Sequence, residues 1–266
     1  MAKSYALCRK AMVTTTDPSK IAIVTGAASG VGLETARLLL HRGSCVIGVD
    51  TESQPEGLSA SSEVLWVKGD VSSASTWESA RRLALTQFRN TPGVLVLCAA
   101  RLVVGTVLET TVQAFRDLFE VNVYGVILGL QACLPDMITR GTGSVVAIAS
   151  VNGLQGEQRL AAYNSSKGAL VQLVRSAAVD HARDGVRVNA ICPTSIDTPF
   201  ISKQAAAMSD KEEFRRKMNA RHPLGRILRP EEVASVAVFL TSADASGMTG
   251  TCVVVDCGLT ASPDFN

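Results

Sequence analysis

Short apolar runs alternate with amphipathic stretches along most of the chain. The apolar runs predict seven strands, at 21–25, 45–49, 64–67, 93–98, 144–149, 186–191 and 252–255. Between them, hydrophobic residues recur at helical spacing and predict helices at 33–42, 73–88, about 111–138, 161–183 and 231–240. Strands that alternate with helices form a parallel sheet with helices on both faces and right-handed crossovers. The pattern therefore predicts an α/β fold, and because no linker interrupts it, one domain over 20–266.

Charge and composition narrow the classes of function. The net charge of +2 and the 19% charged residues give no basic patch for nucleic acid or for a membrane surface. The apolar runs fall short of the ~18 residues of a membrane span. The seven cysteines include no C-x-x-C pair, which favours a reducing, cytoplasmic setting and no metal site. Residues 1–19 are predicted to be a loose arm, with a mitochondrial leader as the less favoured alternative.

A glycine-rich turn follows the first predicted strand. Residues 26–32 read G-A-A-S-G-V-G, and a helix is predicted directly after them. A strand, a glycine turn and a helix together form the setting in which backbone N–H groups bind a pyrophosphate. Gly26 permits the tight turn, and Gly30 and Gly32 allow a close approach of the backbone. The spacing is G-x-x-x-G-x-G, and taken alone it also suits a plain strand-to-helix turn.

An acidic residue ends the second predicted strand. Asp50 lies eighteen residues after Gly32, where a carboxylate can accept hydrogen bonds from an adenosine ribose. No Lys or Arg occurs within 27–31, and Thr51 follows the acid. A 2′-phosphate would therefore meet a negative charge without a cationic partner. This favours NAD over NADP.

Three polar residues come near the fifth predicted strand. Ser150 directly follows that strand, at the sheet edge where open α/β folds bind ligands. Tyr163 and Lys167 are four residues apart, so on a helix they share one face. A free tyrosine titrates near ~10, and a neighbouring ammonium group would lower that pKa and make the phenol a better proton exchanger. A Y-x-x-x-K pair alone is more often an ordinary helix tyrosine and a solvated lysine, so support must come from elsewhere in the chain.

With these residues in hand, the chain resembles the short-chain dehydrogenase/reductase family from about Ile21 to Gly258. The resemblance implies a Rossmann-type sheet of about seven strands in the order 3-2-1-4-5-6-7. Its implied catalytic residues are Asn122, Ser150, Tyr163 and Lys167. Its implied cofactor-binding residues are Gly26, Ser29, Gly30, Val31, Gly32, Asp50, Asp70, Val71, Ala99, Ala100, Tyr163, Lys167, Pro193, Ile196 and Thr198.

The resemblance also implies a chemistry. Tyr163 would exchange a proton with the substrate oxygen, and Lys167 would lower the Tyr163 pKa and hold the nicotinamide ribose. Ser150 would hydrogen-bond the substrate oxygen, and Asn122 would hold a water that links Lys167 to solvent. The expected reaction is reversible hydride transfer between NAD(H) and a secondary alcohol or ketone, in a homotetramer or dimer.

The chain departs from the family pattern at three places. Leu97–Ala100 stands where the family carries Asn-Asn-Ala-Gly, so two side-chain amides are missing. Thr194 and Cys257 replace glycines. These changes leave the proton-transfer groups in place, but they cast doubt on cofactor hydrogen bonds and on the geometry of a lid predicted at about 194–222.

The substrate pocket is expected between Arg101–Val104, Asn152–Arg159 and the lid. Arg101 or Arg159 is a candidate partner for a substrate carboxylate or phosphate, the alternative being a solvated arginine at the rim. Two other functions remain open. One is an NADP-linked 3-oxoacyl-type ketone reductase, and the other is a non-catalytic dinucleotide-binding protein. Asp50 disfavours the first, and the intact Ser150, Tyr163 and Lys167 disfavour the second.

Overall fold

The computed structural model describes residues 17–59, 61–199, 201 and 210–262. Within them, seven strands form one parallel sheet in the order β3-β2-β1-β4-β5-β6-β7, which confirms the predicted fold class and strand order. The strands are β1 Ile21–Thr25, β2 Cys45–Asp50, β3 Val64–Lys68, β4 Val94–Leu97, β5 Gly143–Ile148, β6 Val186–Pro193 and β7 Cys252–Val255.

Helices cover both faces of the sheet. They are α1 Gly30–His41, α2 Glu56–Ser59, α3 Ala74–Leu83, α4 Val112–Phe119, α5 Gly125–Arg140, α6 Ala161–His181, α7 Lys211–Ala220 and α8 Pro230–Thr241. One core contains Trp77, Met137 and Leu170 from α3, α5 and α6. The other contains Leu39 and Val238 from α1 and α8. Because both faces are covered, β1 is buried along its whole length, which explains why it reads as an unbroken apolar run.

The predicted helix at about 111–138 is interrupted by a wider turn. A π-helical segment, Glu120–Tyr124, lies between α4 and α5, and Asn122 is in its centre. Asn122 is 1% exposed. Its side chain bonds to the backbone after β4 and not to the backbone of its own helix. The helix therefore takes a π turn around Asn122, whose side chain bonds to a neighbouring segment.

The stretch Val112–Arg140 spans 29 residues and has the length and composition of a membrane span, contrary to the expectation from its apolar runs. However, 56% of its most apolar 18-residue window is buried inside the protein. That burial is typical of a core helix, and it accounts for the apolar composition without a membrane.

Candidate active site

The glycine turn joins the end of β1 to the first turn of α1. Gly26 has φ +64°, in the region that favours glycine, and a Cβ there would lie 3.0 Å from the backbone nitrogen of Ala99. A Cβ on Gly32 would lie only 2.2 Å from the carbonyl oxygen of Gly26. The helix begins earlier than the predicted residue 33, so Gly30 and Gly32 form its first turn. The turn therefore presents bare backbone at a helix N-terminus.

The carboxylate of Asp50 is bonded to this turn. Its Oδ2 accepts from the backbone N–H of Ala28 at 3.0 Å, and its Oδ1 accepts from that of Glu52 at 3.0 Å. Asp70, after β3, accepts from the N–H and the hydroxyl of Ser72 at 2.9 and 2.8 Å. Both acids therefore lie at the carboxyl edge of the sheet, on the β2–β3 side of the glycine turn.

Ser150, Tyr163 and Lys167 converge at the same edge, beyond the end of β5. The Ser150 hydroxyl lies beside the Tyr163 phenol. It donates to the carbonyl oxygen of Pro193 at 3.4 Å and accepts from the N–H of Asn152 at 3.1 Å. Lys167 is 2% exposed, and its Nζ lies 5.6 Å from the centre of the Tyr163 ring. The same Nζ donates to the carbonyl oxygen of Ile148 at 2.7 Å. The phenol and the amine thus face the same side of α6.

The pKa of the phenol differs from the prediction. Burial raises the pKa of Tyr163 to about 12, although the neighbouring Ser150 hydroxyl opposes the rise. Burial also lowers the pKa of Lys167 to about 8, because a charged amine is poorly solvated there. The predicted lowering of the Tyr163 pKa by Lys167 is therefore wrong for the protein by itself. Loss of water around the phenol dominates, and the charge of Glu157 raises the Tyr163 pKa further, so at neutral pH the phenol keeps its proton.

Asn122 lies behind the site. Its Oδ1 accepts from the N–H of Arg101 at 2.7 Å, while its Nδ2 donates to the carbonyl of Arg101 at 3.0 Å and to Ser166 Oγ at 3.1 Å. The structure shows no bond between Asn122 and Lys167. Asn122 therefore acts as a positioning residue that ties the segment after β4 to α6, and its predicted link to Lys167 through a water stays a prediction.

The unusual segment after β4 is held by Thr25. The Thr25 hydroxyl accepts from the N–H groups of Cys98 and Ala99 at 3.0 and 3.1 Å. These bonds keep the backbone of the segment beside Gly26 without the two missing amides. Burial raises the pKa of the Cys98 thiol to about 12, so this side chain stays neutral and behaves as a small apolar group.

A cavity of about 630 Å³ connects the glycine turn with Tyr163. Its lining includes every predicted cofactor-binding residue: Gly26, Ser29, Gly30, Val31, Gly32, Asp50, Asp70, Val71, Ala99, Ala100, Tyr163, Lys167, Pro193, Ile196 and Thr198. Ser150 also lines the cavity, and Asn122 does not. A Cβ on Gly30 would lie 3.0 Å from Thr198 Cγ2, so the segment after β6 closes over the glycine turn.

Only some of the residues expected to contact the substrate line the cavity. Arg101, Leu102, Asn152 and Glu157 line the cavity, whereas Arg159 pairs with Glu109 at 3.0 Å outside it. The predicted lid contains the helix α7, and Phe200 and residues 202–209 lie outside the described residues.

Sequence reasoning missed a residue pair at the mouth of the cavity. Arg221, directly after α7, pairs with Glu157 at 2.6 Å, and both residues line the cavity. The partners are 64 residues apart, so no local pattern could have joined them.

His222 was also missed, and it explains the unusual Thr194. The Nδ1–H of buried His222 donates to the carbonyl oxygen of Met218 at 2.8 Å. Its Nε2 lies 2.9 Å from the Thr194 hydroxyl, and in the neutral imidazole that nitrogen accepts from it. The threonine that replaces a family glycine thus anchors the end of α7 to the segment after β6.

Comparison with known proteins gives the family. A family model described as enoyl-(acyl carrier protein) reductase matches residues 26–260. The chain belongs to the short-chain dehydrogenase/reductase family. As a short-chain dehydrogenase/reductase it is an NAD(P)-dependent oxidoreductase.

Individual relatives are similar to this short-chain dehydrogenase/reductase over most of its length. It is 34% identical to cis-4-hydroxycyclohexanecarboxylate dehydrogenase of Sinomonas cyclohexanicum, covering 91% of this chain and 97% of the relative. It is 35% identical to meso-2,3-butanediol dehydrogenase of Serratia marcescens, covering 92% and 96%. The ligand-free structure of Thermoplasma acidophilum aldohexose dehydrogenase superimposes with a TM-score of 0.85 at 31% identity, covering 93% and 96%.

The residues of this short-chain dehydrogenase/reductase fit a dinucleotide. Gly26 and Gly32 allow this turn to pack tightly, because a Cβ at either position would meet the backbone of Ala99 at 3.0 Å or of Gly26 at 2.2 Å. The tight turn leaves bare backbone at the N-terminus of α1, where a pyrophosphate can bind. Asp50 lines the cavity beside this turn, where its carboxylate could accept hydrogen bonds from the hydroxyls of a ribose. Both features favour a dinucleotide that lies along the carboxyl edge from β2 to β5.

Gly32→Ala tests the glycine turn. Since the new Cβ would collide with the backbone at Gly26, we expect the turn to shift and NADH affinity to fall about tenfold or more, which corresponds to ~1.4 kcal/mol. NADH binding is measured by fluorescence titration, and a thermal melt checks that the variant is folded. Gly247→Ala is the matched control, because a Cβ there meets no atom within 4 Å. Unchanged NADH affinity in Gly32→Ala would contradict the assignment of this turn.

The substitution His222→Asn is expected to change how the free energy of unfolding depends on pH. Burial lowers the pKa of His222 below its ordinary ~6.5, so the unfolded chain takes up a proton at a higher pH than the folded protein does. The stability that neutral His222 contributes is present above about pH 6.5 and is lost as the pH falls through its lowered pKa. The wild type should therefore lose more unfolding free energy between about pH 7 and about pH 5 than His222→Asn does. Urea denaturation measures this difference, with exposed His41→Asn as the control that should follow the wild type; equal losses in the wild type and His222→Asn would contradict it.

Proposed function

We propose that this protein is an NAD-dependent dehydrogenase that interconverts a secondary alcohol and its ketone, with Tyr163 as the general acid and base. The observation that carries the proposal is the meeting of the Tyr163 phenol, the Ser150 hydroxyl and the Lys167 amine at one end of a cavity that begins at the glycine turn. A protein that only bound a dinucleotide would not need a phenol and an amine buried together at that end.

The Tyr163 phenol is in the protonation state that ketone reduction requires. Because burial raises its pKa to about 12, the phenol is protonated at neutral pH and can donate its proton to a carbonyl oxygen. In the opposite direction the phenol must first lose this proton. The cofactor supplies and accepts the hydride, and its oxidised ring brings a positive charge that favours the phenolate when it is bound.

Ser150 and Lys167 support this proton transfer. The Ser150 hydroxyl lies beside the phenol, so a substrate oxygen that meets Tyr163 would also meet a second donor as charge develops on it. The Lys167 amine is held by Ile148 at 2.7 Å. From there its remaining protons can reach the hydroxyls of a nicotinamide ribose, and the glycine turn and Asp50 would hold the pyrophosphate and the adenosine ribose.

Two further properties remain predictions. We propose a cytoplasmic homotetramer, or else a dimer, that joins through the helical stretch Val112–Arg140 and α6, because both expose apolar side chains. Val112 is 68% exposed, Tyr124 is 49% exposed and Val179 is 80% exposed. Analytical ultracentrifugation distinguishes these assemblies from a monomer.

A dehydrogenase screen tests the proposed function. Secondary alcohols, polyols, sterols and hydroxy acids, including the 4-hydroxycyclohexanecarboxylate on which one relative acts, are offered with NAD or NADP, and NADH or NADPH formation is followed by absorbance. We expect turnover with NAD and at least one of these alcohols. Turnover with NADP alone would support a 3-oxoacyl-type reductase instead. Tight NADH binding without turnover of any alcohol would support a non-catalytic dinucleotide-binding protein.

A further inference from the structure

Positive charge exceeds negative charge in the half of the cavity around Tyr163. The acids Asp50 and Asp70 lie after β2 and β3, on the far side of the glycine turn from β5. Among the residues that the structure describes, the catalytic half contains Arg101, Lys167 and Arg221 but only one carboxylate, that of Glu157. This half therefore suits a ligand that carries negative charge.

Only one of these three cations has an unengaged side chain among the described residues. Arg221 pairs with Glu157, and Lys167 donates to the backbone at Ile148. Arg101 lines the cavity and is exposed, and its guanidinium makes no ion pair or hydrogen bond within the part of the chain that the structure describes. The Arg101 guanidinium is thus available to a ligand.

Although its side chain is unengaged, the backbone of Arg101 is held in place. The Asn122 amide bonds to both the N–H and the carbonyl of Arg101, at 2.7 and 3.0 Å, and to Ser166 Oγ at 3.1 Å. Ser166 Oγ in turn donates to the carbonyl oxygen of Tyr163 at 2.8 Å. A continuous series of hydrogen bonds therefore joins Arg101 to the helical turn that carries the phenol, which keeps the two at a constant separation.

Apolar side chains line the same part of the cavity. They are Leu102, Val151, Leu160, Ile201, Phe214 and Met218. A ligand with an apolar body would bury surface here, and a planar oxyanion on it would match the fork of N–H donors that a guanidinium presents.

We propose that Arg101 binds a carboxylate of the substrate, and that the substrate class is a hydroxy acid with an apolar body between its alcohol carbon and its carboxylate. This proposal rests on the proposed function, since it places the alcohol at Tyr163. It makes Arg101 a specificity residue: it recognises the acid and takes no part in proton or hydride transfer.

The test compares an acid with its ester. The kcat/KM values for 4-hydroxycyclohexanecarboxylate and for its methyl ester are measured with wild type, Arg101→Met, Arg101→Lys and Arg159→Gln. We expect the wild type to prefer the acid to the ester. In Arg101→Met this preference should fall about tenfold or more, because kcat/KM for the acid falls while kcat/KM for the ester does not change. Arg101→Lys keeps the positive charge but not the forked pair of N–H donors, so its preference for the acid should lie between those of the wild type and Arg101→Met. Arg159→Gln is the control, because Arg159 pairs with Glu109 outside the cavity.

A binding arm keeps this test separate from the dehydrogenase activity. Calorimetry measures the affinity of wild type and Arg101→Met for cyclohexanecarboxylate, which has no alcohol to oxidise, and for its methyl ester. If Arg101→Met binds the acid more weakly than the wild type does but binds the ester equally well, the proposal is supported, even if no alcohol is turned over and the proposed function fails.

Three outcomes would each overturn the proposal. Arg101→Met could weaken acid and ester binding equally, it could raise the KM for NAD as much as it lowers acid affinity, or the wild type could fail to bind the acid.

Discussion

Replacing Tyr163 with Phe is expected to lower kcat by about 10²- to 10⁴-fold, the range that general acid and base catalysis contributes. The substitution removes one hydroxyl and leaves the ring beside Lys167, whose Nζ lies 5.6 Å from the ring centre. Without that hydroxyl, no phenol proton can pass to or from the substrate oxygen, whereas the Ser150 hydroxyl keeps its bonds to Pro193 and Asn152. Steady-state kinetics with the best substrate of the screen gives kcat, and fluorescence titration gives the NADH affinity, which should stay within about threefold because the glycine turn is untouched.

Tyr124→Phe is the matched control for this prediction. It removes the same hydroxyl from an exposed tyrosine that is outside the lining of the cavity. We expect wild-type kinetics from it. A Tyr163→Phe enzyme that keeps most of its kcat would rule out the phenol as the proton donor and leave Ser150 or a water as the candidate.

The wild-type enzyme is expected to prefer NAD to NADP by about 10²-fold in kcat/KM. The 2′-phosphate of NADP would approach the Asp50 carboxylate, and two like charges ~4 Å apart repel by about 1 kcal/mol in water and about 4 kcal/mol near a protein surface. No basic residue of the glycine turn offsets this repulsion. Arg37, in α1, already pairs with Glu34 at 2.6 Å.

Asp50→Asn should reduce this preference about tenfold or more, mainly by improving NADP. Asparagine is the suitable replacement because its one amide oxygen can still accept from Ala28, to which Asp50 is bonded in the wild type. Glu52→Gln, which neutralises an exposed acid two residues away, is the control and should keep the wild-type ratio. Kinetics with both cofactors measure the ratio. An enzyme that uses NADP as well as NAD before any substitution would contradict the role given to Asp50.

The sheet and the cofactor half of the site could be predicted because their signals are local. β1 and β2 are buried and read as apolar runs. Because parallel strands end at the same edge, residues that follow them, such as Asp50 and Ser150, come together wherever the strands are in register. Gly32 is required by a backbone contact with Gly26, six residues earlier, whereas the packing of Gly26 against the distant Ala99 appears only in the structure.

The remainder of the site depends on contacts that no periodicity records. The anchor between Thr194 and His222 joins residues 28 apart, and the Arg221–Glu157 pair joins residues 64 apart, both through irregular segments. The π turn at Asn122 is set by bonds to Arg101 and Ser166. The direction of the Tyr163 pKa shift was missed for a related reason: spacing shows that Lys167 is a neighbour, but only the packed structure shows how much water the phenol has lost.

Transfer of a deuteride tests the central claim most directly. A ketone of the best substrate pair is reduced with NADH that carries deuterium at both positions of the nicotinamide C4, and the alcohol is analysed by mass spectrometry and NMR. We expect an alcohol with deuterium on the carbinol carbon from the wild type and Tyr124→Phe, and little or none in the same time from Tyr163→Phe. An unlabelled alcohol, or equal label from Tyr163→Phe, would contradict it.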